Sequence, residues 1–311
     1  MITPATTRDT RLDGLKFLLI CLVILGHISY YDYGLRVNRI IYAFHMPMFV
    51  MISGYLTHRQ SFTRFKRSSL KLLALYLIFQ TGHLAFNAIF KGIPFTLEGY
   101  LHPALALWYL LCLFYWRCAY RLLGPLGIKP VYALLISILL AVLVGFIPLG
   151  NKHLAFQRSF SFLPFFIFGL MLKDKATINT ITRLNAPLMV VMSLLALVLA
   201  RLLPDYMPST PYEDLNAALL RLIQTVIAFV LCMGIIRFIP RKMPECVCRF
   251  GQWTMYYYLY HTFMVEALPM VLRQYHVDLY VFGALMIAAL MVLVITLMHQ
   301  VKLFRLLVLE H

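Results

Sequence analysis

The stretch Lys16-Phe-Leu-Leu-Ile-Cys-Leu-Val-Ile-Leu-Gly-His27 decides how this chain is read. Between its two ionisable ends lie only apolar residues and one glycine. On an α-helix this separation is about three turns, so both side chains share one face, roughly 16 Å apart along the axis. Asp13 falls on the same face. A stretch this apolar belongs in a bilayer, where an ionisable side chain is a functional-site hypothesis by default. A cation near one surface and an imidazole half a bilayer away suggest chemistry that crosses the membrane.

The rest of the chain agrees with that reading. Of its 311 residues 62% are hydrophobic and 13% charged, far more apolar than a soluble domain. Hydropathy predicts an all-α, polytopic integral membrane protein of about ten transmembrane helices, each near the length a bilayer requires. They run near 12–31, 40–57, 68–90, 104–123, 131–150, 159–173, 186–203, 216–237, 253–272 and 279–300. No linker separates two folded units, so one transmembrane domain over 1–311, without an appended extracytoplasmic domain, is expected. No cleavable signal peptide is evident before the first apolar run.

The net charge of +16 is distributed as topology. Of the 28 Lys and Arg, 20 fall in the N-terminal segment through Lys16, in 58–71, 117–130, 173–185 and 237–249, and at the C-terminus. The alternate connections hold the other 8. The positive-inside rule makes the first set, and both termini, cytoplasmic. The basic excess therefore reads as topology and lipid-headgroup contact, and no nucleic-acid partner is expected. Tyr30, Tyr31 and Tyr33 read as an interfacial aromatic belt. The longest external connection, about 201–215, carries Asp205, Glu213 and Asp214.

Polar groups inside the spans carry most of the functional information, because each is costly there. His45 lies close to the depth of His27. Tyr76, Gln80, His83 and Asn87 recur at helical spacing along the third span. Arg221 and Gln224 are neighbours on the eighth span, and the ninth carries Thr254, Tyr257, Tyr258, His261 and Glu266. Such stripes equally serve as interhelical hydrogen-bonding glue. After the second span, His58, Arg59, Arg64, Lys66 and Arg67, with Lys71 entering the next helix, form a basic cluster at the level of Lys16. It is what a positive-inside loop looks like, and also a ready site for a polyphosphorylated ligand.

No His-Glu-x-x-His, close His pair or Cys-His cluster is present, so no metal is expected. The six cysteines are scattered and imply neither a disulfide framework nor a zinc site. A P-loop, a dinucleotide-binding glycine pattern and the Gly-x-Ser-x-Gly elbow are absent.

Five segments together resemble the membrane-bound acyltransferase-3 family, and in particular its short sugar O-acetylases of the fucose 4-O-acetylase type. They are Leu12-Asp-Gly-Leu-Lys16 through Gly26-His27; Ile41-Tyr-Ala-Phe-His-Met-Pro-Met-Phe-Val-Met-Ile-Ser-Gly-Tyr55; Leu107-Trp-Tyr-Leu110; Phe162-Leu-Pro-Phe-Phe-Ile-Phe-Gly169; and Gly251-Gln-Trp-Thr-Met-Tyr-Tyr-Tyr-Leu-Tyr-His261. The resemblance implies a cytoplasmic acetyl-CoA donor, no permanently bound cofactor, and a hydroxyl of a cell-surface or exported sugar as acceptor. The setting it implies is the bacterial cytoplasmic membrane, with a homo-oligomer or polysaccharide-synthesis partners as further expectations. His27 aligns with the family's essential histidine and is the expected general base. Lys16 stands where the family usually has Arg, and Leu75 where it usually has Pro. Lys16, Arg64, Lys66, Arg67 and Lys71 are expected to hold the donor. Asp13, His45, Gln80, His83, Asn87, Arg158, Tyr258 and His261 are expected to line the site or meet the acceptor. The competing class is a transporter or channel that uses the polar stripes as a path, with His27 relaying protons.

Overall fold

The computed structural model describes residues 9–29, 37–148, 153–204, 208, 210–240, 242–275 and 281–309. Tyr30, Tyr31, Tyr33 and Asp205 lie outside the described residues. Among those described, all regular structure is helical and no strand occurs.

Helices α1 (Thr10–Ser29), α2 (Val37–Leu56), α3 (Phe62–Lys91), α4 (Trp108–Leu123) and α5 (Pro130–Leu143) occupy the first five expected stretches. The sixth is broken: α6 (Phe156–Ser161) meets α7 (Leu163–Met171) at a 49° bend. Pro164 sits in the first turn of α7, where its missing amide costs nothing and its fixed φ restarts the helix. Next, α8 (Lys175–Thr182) turns by 85° into α9 (Ala186–Leu202). The chain continues through α10 (Leu215–Phe238), α11 (Glu245–Gly251), α12 (Thr254–Gln274), α13 (Val281–Met298) and α14 (Lys302–Leu307). Asp174, Asn185 and Asp214 cap α8, α9 and α10 by accepting a first-turn amide.

Among the described residues, α3 and α10 can cross a membrane by length and apolar composition alone, and the number rises to four if each bent pair is one span. Each remaining expected stretch is also helical, but shorter or interrupted by polar groups. Asp13, Lys16 and His27 interrupt α1, while His261 and Glu266 interrupt α12. The outer faces of α5, α9, α10 and α13 expose Leu139, Val191, Leu194, Val226, Leu290 and Leu297. Apolar surface on that scale suits a lipid solvent.

The interior is apolar and aromatic, with Leu19, Ile20, Met51, Leu110, Phe165, Phe166 and Tyr257 among its fully buried side chains. Helices α2 and α7 pack together extensively. Gly54 and Gly169 permit it: a Cβ on Gly54 would strike the Phe166 carbonyl, and one on Gly169 the Met51 carbonyl. Small residues let membrane helices approach to backbone contact in this way.

Long-range contacts sort the connections into two ends of one bundle. At one end Lys71 donates to the Leu309 carbonyl, Arg121 to Gln60, Arg237 to Leu184, and Gly251 presses on the Asp13 backbone. At the other, Arg39 donates to the Leu203 carbonyl, Gln224 to Pro204, Arg221 to Thr210 and Ser161 to Pro208. The first end gathers the Lys- and Arg-rich connections. Arg221 and Gln224, neighbours on α10, anchor the connection that precedes their helix.

Candidate active site

Three helices bring a histidine each to one place. His27 comes from the last turns of α1, His45 from α2 and His261 from α12. The rings of His27 and His261 lie with centroids 5.5 Å apart. Tyr42 joins them, its ring 6.0 Å from His27 and 5.2 Å from His45. Pro47 lies two residues beyond His45 inside α2 and removes the amide that would bond the Ala43 carbonyl.

Hydrogen bonds fix the tautomers. His45 donates from Nδ1 to the Ile41 carbonyl at 2.7 Å, and His261 from Nδ1 to the Tyr257 carbonyl at 3.1 Å. A carbonyl only accepts, so each of these rings carries its proton on Nδ1 and keeps a lone pair on Nε2. The Tyr42 hydroxyl donates to the Gly26 carbonyl at 3.1 Å, which leaves its oxygen to accept from Nδ1 of His27 at 3.4 Å. All three rings thus offer Nε2 as an acceptor. That of His261 is buried and has no hydrogen-bond partner.

The cation of the site is Arg158, on α6. Its guanidinium lies 5.0 Å above the Trp108 ring, which in turn stacks on Phe162 at 5.0 Å. Arg158 is within electrostatic reach of His27 and of Tyr258. Two consecutive left-handed residues, Leu154 (φ 46°) and Ala155 (φ 57°), turn the chain into α6. Such backbone costs about 1–3 kcal/mol per residue and persists where the surroundings demand it. Tyr258 donates to the Ala106 carbonyl, and the hydroxyls of Tyr109 and Ser53 are bonded to each other.

The polar stripe of α3 divides into separate roles. Gln80 spends its whole amide on the 97–104 connection: it donates to the Gly99 and His102 carbonyls and accepts from the Ala104 amide. Tyr76 donates to Tyr100 in the same connection. His83, fully buried, bonds Glu266 through Nδ1 and the Thr262 hydroxyl through Nε2. Thr262 also donates to the Leu259 carbonyl at 2.6 Å, which ties the group to its own helix. Lys91 completes the group, 2.6 Å from the second Glu266 oxygen. The Asn87 side-chain oxygen is buried without a partner.

At the basic end, Lys16 pairs with the buried Asp13 at 2.7 Å. Arg64, Lys66, Arg67 and Lys71 are all exposed on the first turns of α3. The structure therefore brings together His27, His45, His261, Arg158 and Tyr258. It places Lys16, Asp13 and the 64–71 cluster at the opposite end, and keeps Gln80 in a structural clamp. Tyr42 and Trp108 went unassigned in the sequence. Tyr42 shares a face with His45 at a spacing of three, a signal that could have found it.

Among the described residues no group of three His, Cys, Asp or Glu side chains is arranged to hold a metal. What the site offers is an imidazole base flanked by two more acceptors and one guanidinium. That set can take a proton from a hydroxyl and stabilise an oxyanion beside it. Comparison with known proteins points the same way. The family model described as "Acyltransferase domain" matches residues 9–299. No curated protein and no solved structure gives a significant match. With nearly its whole length matched, and with apolar helices around this site, the chain belongs to the acyltransferase-3 family of membrane acyltransferases.

Proposed function

We propose that this protein moves an acetyl group from acetyl-CoA, bound at the basic end, to a hydroxyl of an exported or cell-surface sugar. The observation that carries the reading is the convergence of His27, His45 and His261, each presenting Nε2, beside Arg158. His27 Nε2 takes the proton of the acceptor hydroxyl as its oxygen attacks the thioester carbonyl carbon. The tetrahedral oxyanion forms within reach of Arg158. Its collapse breaks the carbon–sulfur bond, and the departing thiolate takes up the proton held by His27. The products are the ester and free coenzyme A, with no net proton gained or lost.

His261 and His45, as fixed acceptors, hold neighbouring hydroxyls, which suits a polyhydroxylated substrate. Ten helices cross the bilayer in this reading, with both termini in the cytoplasm of a bacterium. The gathering of Lys- and Arg-rich connections at one end supports that orientation. The donor's phosphates stay at this end, while the reacting carbonyl lies near His27. Lys16 and the 64–71 cluster would attract the donor.

Comparing the surface glycans of a deletion strain, its parent and a strain carrying His27→Ala tests the proposal by mass spectrometry. The acetyl increment is expected only in the parent. An acetylated glycan in a correctly inserted His27→Ala strain sinks it. Flux of a solute through the purified protein without donor consumption would instead favour the transporter.

A further inference from the structure

A cleft opens at the basic end, between the connection after α2, the first turns of α3 and the end of α4. His58, Arg59, Ser68, Arg117, Tyr120 and Arg121 line it, and no carboxylate does. Arg121 is held rigidly: it donates to the Gln60 carbonyl at 3.0 Å and lies 5.3 Å from the Phe62 ring and 5.0 Å from the Phe65 ring. Arg117 is part-buried, with neither a carboxylate nor a hydrogen-bond partner among the described residues. A part-buried guanidinium with no facing anion leaves its forked donors available to one. Two or three convergent guanidinium groups with an imidazole and a hydroxyl match a phosphoanhydride, whose oxygens accept forked donors.

The cleft is connected to the histidines through α4. Thr57 at its rim donates to the Ser53 carbonyl, and the Ser53 hydroxyl is bonded to Tyr109. Tyr109 follows Trp108, the residue beneath Arg158. From Arg117 back to Trp108, the helical rise gives about 14 Å, and from Arg121 about 20 Å. An extended pantetheine arm is of that length. A lipid headgroup offers the same phosphate chemistry, but it carries no long arm ending in the reactive carbonyl that has to reach Arg158.

We infer that this cleft, and not the exposed 64–71 cluster, binds the diphosphate of the acyl donor, with Arg117 and Arg121 as its principal ligands and Tyr120 or Phe65 against the adenine. The inference rests on the reading of a coenzyme A thioester as donor.

The test uses the full chain in neutral phosphatidylcholine nanodiscs and free coenzyme A as the probe, measured by calorimetry. Wild-type protein should bind it, with pyrophosphate competing. Arg117→Gln should weaken binding about tenfold or more, the loss expected for one charged hydrogen bond. Arg117→Lys should recover part of that loss, and Arg64→Gln/Arg67→Gln should change it less than Arg117→Gln does. Gel filtration and melting show whether each variant is folded, and the salt dependence of wild-type binding gives a readout that needs no variant. A folded Arg117→Gln/Arg121→Gln protein that binds coenzyme A like the wild type overturns the cleft but leaves the donor reading intact. Absence of binding to the wild type overturns both. Loss of binding when phosphatidylglycerol is added to the nanodiscs would assign the cleft to lipid and overturn the inference.

Discussion

His27 and His261 face each other from α1 and α12 with ring centroids 5.5 Å apart, and His261 is locked by a bond from its Nδ1 to the Tyr257 carbonyl. The pair joins the first apolar helix to one near the end of the chain. The two rings have different freedom. His261 is fully buried and anchored to its own helix, whereas the hydrogen bond of His27 among the described residues is the long Tyr42 contact at 3.4 Å. The proposed mechanism asks the base to turn between acceptor oxygen and leaving sulfur, and the looser hydrogen bonding of His27 suits that role.

Substituting the two histidines should therefore give different kinetic signatures. His27→Ala is expected to lower kcat about 100- to 10,000-fold, the usual worth of a general base. His261→Gln keeps an acceptor at the position and should chiefly raise the KM for the sugar. Steady-state kinetics of purified protein with labelled acetyl-CoA separates the two, and equal losses of kcat would count against the division of labour.

Arg158 should act on the transition state. Arg158→Ala is expected to lower kcat about 100- to 1,000-fold, with the donor's dissociation constant little changed. Measuring coenzyme A binding beside turnover checks this. A matching loss in both would place Arg158 with the donor instead.

The His83–Glu266–Lys91 group should show its effect in stability. Glu266→Ala leaves the buried His83 without its carboxylate partner, and stranding a buried hydrogen-bonding group costs about 1–3 kcal/mol. The melting temperature in nanodiscs should fall clearly, whereas exposed Lys66→Ala should leave it within error. A Glu266→Ala protein as stable as the wild type would contradict the network.

Asp174 gives a pH prediction outside the bundle. Bonds from the Thr177 and Ala176 amides hold its carboxyl below the usual carboxylate value. The cap is therefore complete above the unfolded carboxylate range and is lost as pH falls through the lowered value. Hydrogen exchange of the 175–182 amides, compared at matched intrinsic rates, should show protection fading on acidification. Asp174→Asn should keep that protection flat with pH.

Much of this was legible in the chain. Among the described residues each stretch expected to be helical contains a helix, because long apolar runs broken by Pro, Gly and Asp caps leave the backbone no cheaper way to satisfy its amides. The grouping of basic connections also survives, since charge cannot be left in the apolar layer. The bend between α6 and α7 and the turn from α8 into α9 were not foreseen, because Pro164 and the Asn185 cap mark helix starts without stating the angle between axes. Periodicity on α3 treated Tyr76, Gln80, His83 and Asn87 as one stripe. In the fold Tyr76 and Gln80 hold a connection, while His83 crosses to Glu266.

The sequence by itself determined where the long apolar helices lie but not the short α8, α11 and α14, and it determined which connections carry the basic charge and that Lys16 and His27 lie on one face of α1. These are local consequences of a regular rise and of the cost of burying charge. Only the tertiary structure decided which polar residues meet. His45 and His261 are far apart in the chain, and Arg117 gains its importance from a cleft it shares with His58 and Arg121. The rotation and depth of each helix decide such meetings. Close contacts such as Gly54 on Phe166 and Gly251 on Asp13 set them, and no single helix contains that information.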